Sequence, residues 1–169
     1  TCEALPDLVT DKAIALFEKY NVLSPLELES RYNIRMERYI KELDIEAGVL
    51  LEMASTLVIP AALRFQKELS SSLEELLDVL GKDADVAEQK ELLATISSLI
   101  NKILKNLKEL RKRIQHAHTI DEEKDTACYF CFDIKTLMDK MREDVDELEG
   151  YMDDSMWPLP KFWEMLFIS

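Results

Sequence analysis

The chain has 169 residues, and its 21 basic and 34 acidic side chains give a formal net charge of −13 at pH 7. This charge argues against nucleic acid as a general partner and against anionic membrane surfaces, because both would repel an acidic protein. Only 3 residues are glycine, too few for a turn-rich β protein or a glycine-rich phosphate loop, whereas 47% are hydrophobic. We therefore expect one domain with a sizeable core over residues 1–169.

The chain contains three cysteines, at Cys2, Cys128 and Cys131, and this odd, small number is not typical of a disulfide framework. No signal peptide opens the sequence, and no apolar run approaches the roughly 20 residues that span a bilayer. We expect a cytoplasmic protein without a membrane partner. The absence of an initial methionine suggests a piece of a longer protein.

A first helix is predicted from Leu5 to about Asn21. The second begins after Ser24, whose side chain can cap it. Pro25 suits the first helical position, and Glu27 can reach back to complete a capping box.

From there a helical pattern extends to Gly81, which is a natural C-cap residue. Pro60 interrupts the pattern, and it predicts a kink or a break just before it, because proline removes a hydrogen bond and clashes with the previous turn. The apolar face before this point has residues in steps of four and three: Met36, Ile40, Leu43, Ala47, Leu50, Ala54, Leu57 and Ala61. Leu69, Leu73, Leu76 and Leu80 continue it.

The third predicted helix has the most regular heptad pattern, and it ends near His116. Its apolar residues are Leu93, Ile96, Ile100, Ile103, Leu107, Leu110 and Ile114. A fourth helix is predicted to be capped by Thr119 or Asp121 and to end between Gly150 and Asp154. Its apolar residues are Ala127, Cys131, Ile134, Met138, Met141, Val145, Leu148 and Met152.

These long helices and the short turns between them favour antiparallel neighbours. The sequence therefore predicts an all-α fold. We expect an elongated antiparallel helical bundle of three to four long helices, followed by a short C-terminal aromatic helix.

Cys128 and Cys131 form a CxxC motif, but it has no second pair to complete a zinc site and no βαβ setting for redox chemistry. Because Cys131 falls on the apolar seam, we interpret it as a small buried hydrophobe. His116 and His118 precede a cluster of acidic residues, which a metal could use. A helix end followed by an acidic first turn explains the same residues through the two helix dipoles, and we favour that interpretation.

Two charged stretches are interpreted as solvated faces. The first, which alone might suggest nucleic acid, comprises Lys102, Lys105, Lys108, Arg111, Lys112 and Arg113. The second comprises Asp139, Glu143, Asp144, Asp146, Glu147, Glu149, Asp153 and Asp154. Di-iron bundles also use carboxylates, but they pair them with Glu-x-x-His, which is absent from the sequence. No catalytic residue, cofactor-binding residue or metal ligand is assigned.

The chain closes with the aromatic, proline-rich stretch SMWPLPKFWEMLF. Its prolines hold it extended and allow a last short helix to follow. Such a large aromatic area would not be left in water, so we expect it to fold back onto the bundle or to dock on a neighbouring subunit or domain. The predicted docking residues are Trp157, Pro158, Pro160, Phe162, Trp163 and Phe167. Recognition of the prolines by a partner module is the less favoured alternative.

Four ordered blocks of the sequence resemble the C-terminal region of type III glutamine synthetases. The first two are LPDLVTDKAIALFEKYNVLSPLELESRY and the overlapping SRYNIRMERYIKELDIEAGVLLEMA, which VIPAALRFQ follows. The others are MDKMREDVDELEG and the ending WPLPKFWEMLF. Residues from about 70 to 118 are similar to the family in pattern alone.

The resemblance implies that the parent enzyme joins ammonia to glutamate with ATP and a divalent metal, Mg or Mn, in a large homo-oligomer. It implies that the catalytic acids, arginines and nucleotide site lie in an upstream domain, so this segment alone is expected to be inactive and to hold no cofactor. Its expected partners are that upstream domain of the same chain and the sister subunits. The tail would then seal the bundle or seat it on the rest of the enzyme.

Two other functions are considered. The heptads by themselves are equally typical of a free-standing coiled-coil interaction or adaptor protein. A carboxylate-bridged metal enzyme is the third possibility, and the missing Glu-x-x-His counts against it.

Overall fold

The computed structural model describes residues 2–81, 84–161 and 164, and within these ranges all regular secondary structure is helical. A 3₁₀ helix, Leu5–Val9, opens the chain. The α-helices are α1 (Asp11–Lys19), α2 (Pro25–Met53), α3 (Ile59–Leu80), α4 (Ala87–Ala117), α5 (Glu123–Tyr129) and α6 (Lys135–Glu149). π-helical turns at Ala54–Val58 and Phe130–Ile134 join α2 to α3 and α5 to α6. The all-α helical bundle is as predicted. The predicted C-terminal aromatic helix lies outside the described residues.

The single helix predicted from Leu5 to Asn21 is in fact two helices. Thr10 separates them with an extended backbone, and its Oγ1 accepts a hydrogen bond of 3.4 Å from the amide of Ala13. A threonine at this position satisfies one of the free amides of the new helix, so it starts α1 rather than continuing the 3₁₀ helix.

The capping box at the start of α2 is confirmed. Glu27 Oε2 accepts hydrogen bonds of 2.8 Å from the amide and from the hydroxyl of Ser24. The amide of Glu27 in turn donates to Ser24 Oγ at 3.3 Å. These bonds lower the pKa of Glu27, with the bond from the Ser24 amide as the largest cause. The C-cap at Gly81 is also confirmed, with a φ of 85°.

The helix does not break before Pro60. The π turn Ala54–Val58 precedes it, and the amide of Ile59 donates to the carbonyl of Ala54, five residues back. The wider turn shifts the buried face by one residue. As a result Val58 is buried and Leu57 is 41% exposed, so the prediction that Leu57 belongs to the core is wrong.

The heptad seam of α4 is largely confirmed, since Ile96, Ile100, Ile103, Leu107 and Leu110 are all buried. Along α5 and α6 three of the eight predicted seam positions are displaced by one residue. Phe130, Leu137 and Asp144 are buried, whereas the predicted Cys131, Met138 and Val145 are only half-buried. The predicted Thr119 or Asp121 cap is wrong, because Glu122 occupies the N-cap position of α5 without a side-chain hydrogen bond.

The chain divides into two compact units. Unit 1 comprises residues 1–49 and 110–138. Within it, Arg113 Nη1 donates to the Asp133 carbonyl at 2.8 Å, and the rings of His116 and Tyr129 lie 5.2 Å apart. From Arg113 to His116 the residue number rises along α4, whereas it falls from Asp133 to Tyr129 in the segment that they contact. The end of α4 and this segment are therefore antiparallel.

Unit 2 comprises residues 50–109 and 139–169. Within it, Gln66 Nε2 of α3 donates to Ser97 Oγ of α4 at 2.6 Å. Nearer the turn, Leu77 and Lys90 line one groove, so α3 and the first half of α4 are also antiparallel.

The prediction that no apolar run is long enough to span a bilayer is wrong, since one helical stretch has the length and the composition that a span requires. Among the described residues, one helical stretch, Pro25–Leu80, contains a sufficiently apolar window of 18 residues, of which 33% is buried. Core helices of water-soluble proteins meet the same criterion, so a single such window is weak support for a membrane span.

Candidate functional site

A compact turn after α6 positions the start of the aromatic tail. Asp153 Oδ1 accepts a hydrogen bond of 2.7 Å from the amide of Ser155 and a second from the Ser155 hydroxyl. These bonds lower the pKa of the Asp153 carboxyl, with the hydroxyl as the largest cause. The Asp153 carbonyl accepts from the amides of Met156 and Trp157 at 3.0 and 3.1 Å. Asp153 therefore fixes the direction in which the chain enters the tail.

The indole of Trp157 is buried in unit 2, with 8% of its surface exposed. Its Nε1–H has no hydrogen-bond partner among the described residues. Pro158 is half-buried and Pro160 is exposed. The predicted docking residues Phe162, Trp163 and Phe167 lie outside the described residues. Whether the tail seals the bundle or seats it on the rest of the enzyme stays a prediction.

Lys161, near the end of the described residues, makes polar contacts with Asp154 and Glu164. Its ammonium contacts the Asp154 carboxylate, which raises the pKa of Lys161. Its amide donates to Glu164 Oε2 at 2.9 Å, and the Glu164 amide donates back to the Lys161 carbonyl at 3.0 Å. The bond from the Lys161 amide to the side chain three residues later is one half of a capping box.

The three cysteines come together in unit 1, although no sequence pattern indicates that Cys2 groups with the CxxC motif. Cys2 is buried in a cluster with Met36 and Ala127, and Cys128 and Cys131 pack against that cluster. All three are free thiols. Burial raises the pKa of Cys2 to about 12, and hydrogen bonds with the other two cysteines act in the same direction. A thiol in this state is a poor nucleophile, so Cys2 is better suited to packing than to catalysis.

Tyr39 of α2 completes this thiol cluster. Burial raises the pKa of its phenol, and a hydrogen bond with Cys131 contributes. Cys131 itself is half-buried rather than fully buried, which corrects the prediction in part. Cys131 and Phe130 both lie in the π turn Phe130–Ile134, and Phe130 is the fully buried one.

The two histidines have separate protein partners. His118 Nε2 lies 3.0 Å from Asp44 Oδ1 of α2. His116 lies in the last turn of α4 and contacts Tyr129 edge-on. Among the residues that the structure describes, no group of three His, Cys, Asp or Glu side chains could hold a metal ion.

One member of the predicted acidic face is not solvated. Asp144 is 8% exposed, and it accepts a hydrogen bond of 2.9 Å from Asn106 Nδ2 in unit 2. Arg142 and Asp146 of the same helix do remain on the surface, 3.8 Å apart. The basic stretch on α4 is exposed at Lys102, Lys105 and Lys108, as predicted.

Comparisons with known proteins agree on one family. The family model described as the glutamine synthetase C-terminal domain matches residues 1–76. The type-3 glutamine synthetase of Dictyostelium discoideum is 32% identical over 99% of this chain and 23% of its own length. A glutamine synthetase of Bacteroides fragilis (strain YCH46) is 28% identical over 98% of the chain and 23% of its own length.

A third relative, the glutamine synthetase of Butyrivibrio fibrisolvens, is 27% identical over 98% of the chain and 24% of its own length. The chain thus spans about a quarter of the length of the curated relatives that it matches. Residues 1–76 belong to the glutamine synthetase C-terminal domain family, and the whole chain corresponds to the C-terminal portion of type-3 glutamine synthetases.

Proposed function

We propose that this chain is a structural and assembly region of an ATP-dependent glutamate–ammonia ligase, and that it performs no catalysis by itself. The observation that supports this most directly is the match to glutamine synthetases over 98–99% of the chain but only 23–24% of the relatives' length. The remaining three quarters of such a protein would provide the catalytic domain in the same chain.

In the proposed parent enzyme, ATP and Mg or Mn bind upstream of residues 1–169. The enzyme acts in glutamine biosynthesis in the cytoplasm and assembles as a homo-oligomer. The packing of the helices supports the proposed structural role. In α4, for example, a continuous apolar seam is buried. The free-standing adaptor is not favoured, since the relatives that match nearly all of the chain are named as glutamine synthetases.

The experiment uses the full-length parent protein. Glutamine formation from glutamate, ammonia and ATP is measured with Mg or Mn, and sedimentation velocity gives the oligomeric state. The same measurements follow on a protein that lacks residues 1–169. We expect glutamine formation and a large assembly from the intact protein, and loss of the assembly on truncation.

Two results would contradict the proposal in different ways. An intact protein that forms no glutamine would exclude the ligase function. A truncated protein with unchanged activity and sedimentation would exclude the assembly role and leave the ligase function standing.

A further inference from the structure

Four large apolar side chains lie exposed between residues 16 and 26 in unit 1. We call them the corner patch: Leu16 is 55% exposed, Tyr20 65%, Val22 61% and Leu26 76%. Isolated exposed apolar residues are normal on protein surfaces, but a concentration of four in so short a segment is typical of an interaction site.

The helix α1, which contains Leu16 and has Tyr20 as its C-cap residue, has little tertiary support. No residue of α1 or of the preceding 3₁₀ helix is buried. Ile14 and Phe17 are half-buried, and Leu16 and Tyr20, four residues apart, share another face. An isolated helix of fewer than about 12 residues is marginal in water, and most protein helices are stabilised by packing of an apolar face.

Local signals nevertheless define both ends of α1. Thr10 caps its start, and Asn21 ends it with a φ of 49°. The amide of Val22 then donates to the carbonyl of Phe17 at 3.0 Å, in the six-to-one pattern of a Schellman motif. The sequence thus builds a defined corner whose apolar side chains Tyr20 and Val22 face solvent, with Lys19 Nζ 5.7 Å from the Tyr20 ring centroid.

The covering segment is inferred from the length of chain that the relatives have outside this structure. The family model is that of a C-terminal domain, and its match over residues 1–76 contains the whole corner patch. In the proposed parent enzyme the upstream region joins the chain before Cys2. Cys2 is only 1% exposed and packs with Met36 in unit 1, so the junction is anchored to the unit that bears the patch. This tether gives the upstream region of the same polypeptide a high effective concentration at the patch.

We propose that the corner patch is the surface on which the upstream region of the same polypeptide docks. This inference rests on the proposed function, because it needs a parent chain with an upstream domain. A second copy of the chain is the competing occupant, and the experiment separates the two.

The test places a photo-crosslinking residue, Tyr20→benzoylphenylalanine, in the full-length protein, and assembles a mixture of ¹⁴N- and ¹⁵N-labelled chains. Val79→benzoylphenylalanine in unit 2 is the matched control, since Val79 is 83% exposed. We expect position 20 to crosslink to a peptide upstream of this chain with the same isotope, and position 79 not to do so. Crosslinks between isotopes, crosslinks within residues 1–169, or no crosslink at position 20 would each overturn the inference.

A second measurement uses the double variant Leu16→Ser, Tyr20→Ser in the full-length protein. Hydrogen exchange of the upstream peptide should become about tenfold faster or more, because the covering contact is weakened. The control Val79→Ser, Leu80→Ser should leave it unchanged. Equal exchange in both variants would contradict the docking, whereas a parent protein that docks but forms no glutamine would contradict only the proposed function.

Discussion

Asn106 of α4 donates a hydrogen bond of 2.9 Å from Nδ2 to Oδ2 of Asp144, which is 8% exposed on α6. Both residues belong to unit 2, among apolar seam positions such as Ile103 and Met141. A buried polar pair of this kind can be satisfied in only one pairing of two helices, so it favours that pairing over a slipped one.

The first prediction concerns this pair. Asn106→Leu leaves the buried carboxylate of Asp144 without its amide donor and should lower the free energy of unfolding by about 1–3 kcal/mol. The double variant Asn106→Leu, Asp144→Leu should cost less than the sum of the two single variants, because it leaves no unpaired polar group. Urea unfolding of the wild type, the two single variants and the double variant gives the coupling free energy between the two side chains. Strict additivity would mean that the bond does not contribute.

The second prediction concerns Trp157. Because its indole is buried in unit 2, Trp157→Ala should lower the free energy of unfolding by about 3–5 kcal/mol. Phe132→Ala is the matched aromatic control, since Phe132 is 52% exposed, and it should change that free energy by less than about 0.5 kcal/mol. Similar melting temperatures for Trp157→Ala and the wild type would show that the tail does not close the bundle.

The third prediction compares two glycines. A Cβ at Gly48 in α2 would meet no atom within 4 Å, so Gly48→Ala should raise the free energy of unfolding by about 0.5–1 kcal/mol through helix propensity. A Cβ at Gly81 would also meet no atom within 4 Å, but the φ of 85° is unfavourable for any residue with a Cβ. Gly81→Ala should therefore lower the free energy of unfolding by about 1–3 kcal/mol. Thermal unfolding of the two variants should shift in opposite directions. A shift of both melting temperatures in the same direction would contradict the argument from helix propensity at Gly48 and positive φ at Gly81.

The fourth prediction concerns the pH dependence of stability at Cys2. Its pKa rises from 9.0 to about 12 on folding, so above pH 9 the unfolded chain loses a proton that the folded chain keeps. Stability should therefore fall as the pH rises from about 9 towards 12. Cys2→Ala should show a shallower loss over this range, measured by urea unfolding at each pH. Identical slopes would show that Cys2 does not ionise differently in the two states.

The burial of Cys2 also predicts the order in which the three thiols are alkylated. Iodoacetamide should modify Cys128 and Cys131, which are half-buried, before the buried Cys2 in the folded protein. In urea the three thiols should react alike. Mass spectrometry of the peptides resolves the order, and early modification of Cys2 would mean that the N-terminal segment opens readily.

The amino-acid sequence by itself determined the features that depend on neighbours in the chain. The Ser24–Glu27 capping box, the Gly81 C-cap and the seam of α4 follow from local hydrogen bonding and from the 3.5-residue apolar repeat. The same local patterns, read as longer blocks, indicated the glutamine synthetase family that the comparisons support over nearly the whole chain.

Only the tertiary structure decided which residue of each neighbouring pair is buried. Val58 replaces Leu57 because a π turn adds a residue to one turn. Asp144 is buried in place of Val145, and Asn106, 38 residues away, satisfies its carboxylate. The grouping of Cys2 with Cys128 and Cys131 has the same origin. Burial depends on contacts between segments distant in sequence, and a heptad count, which uses spacing alone, cannot distinguish two adjacent positions on one side of a helix.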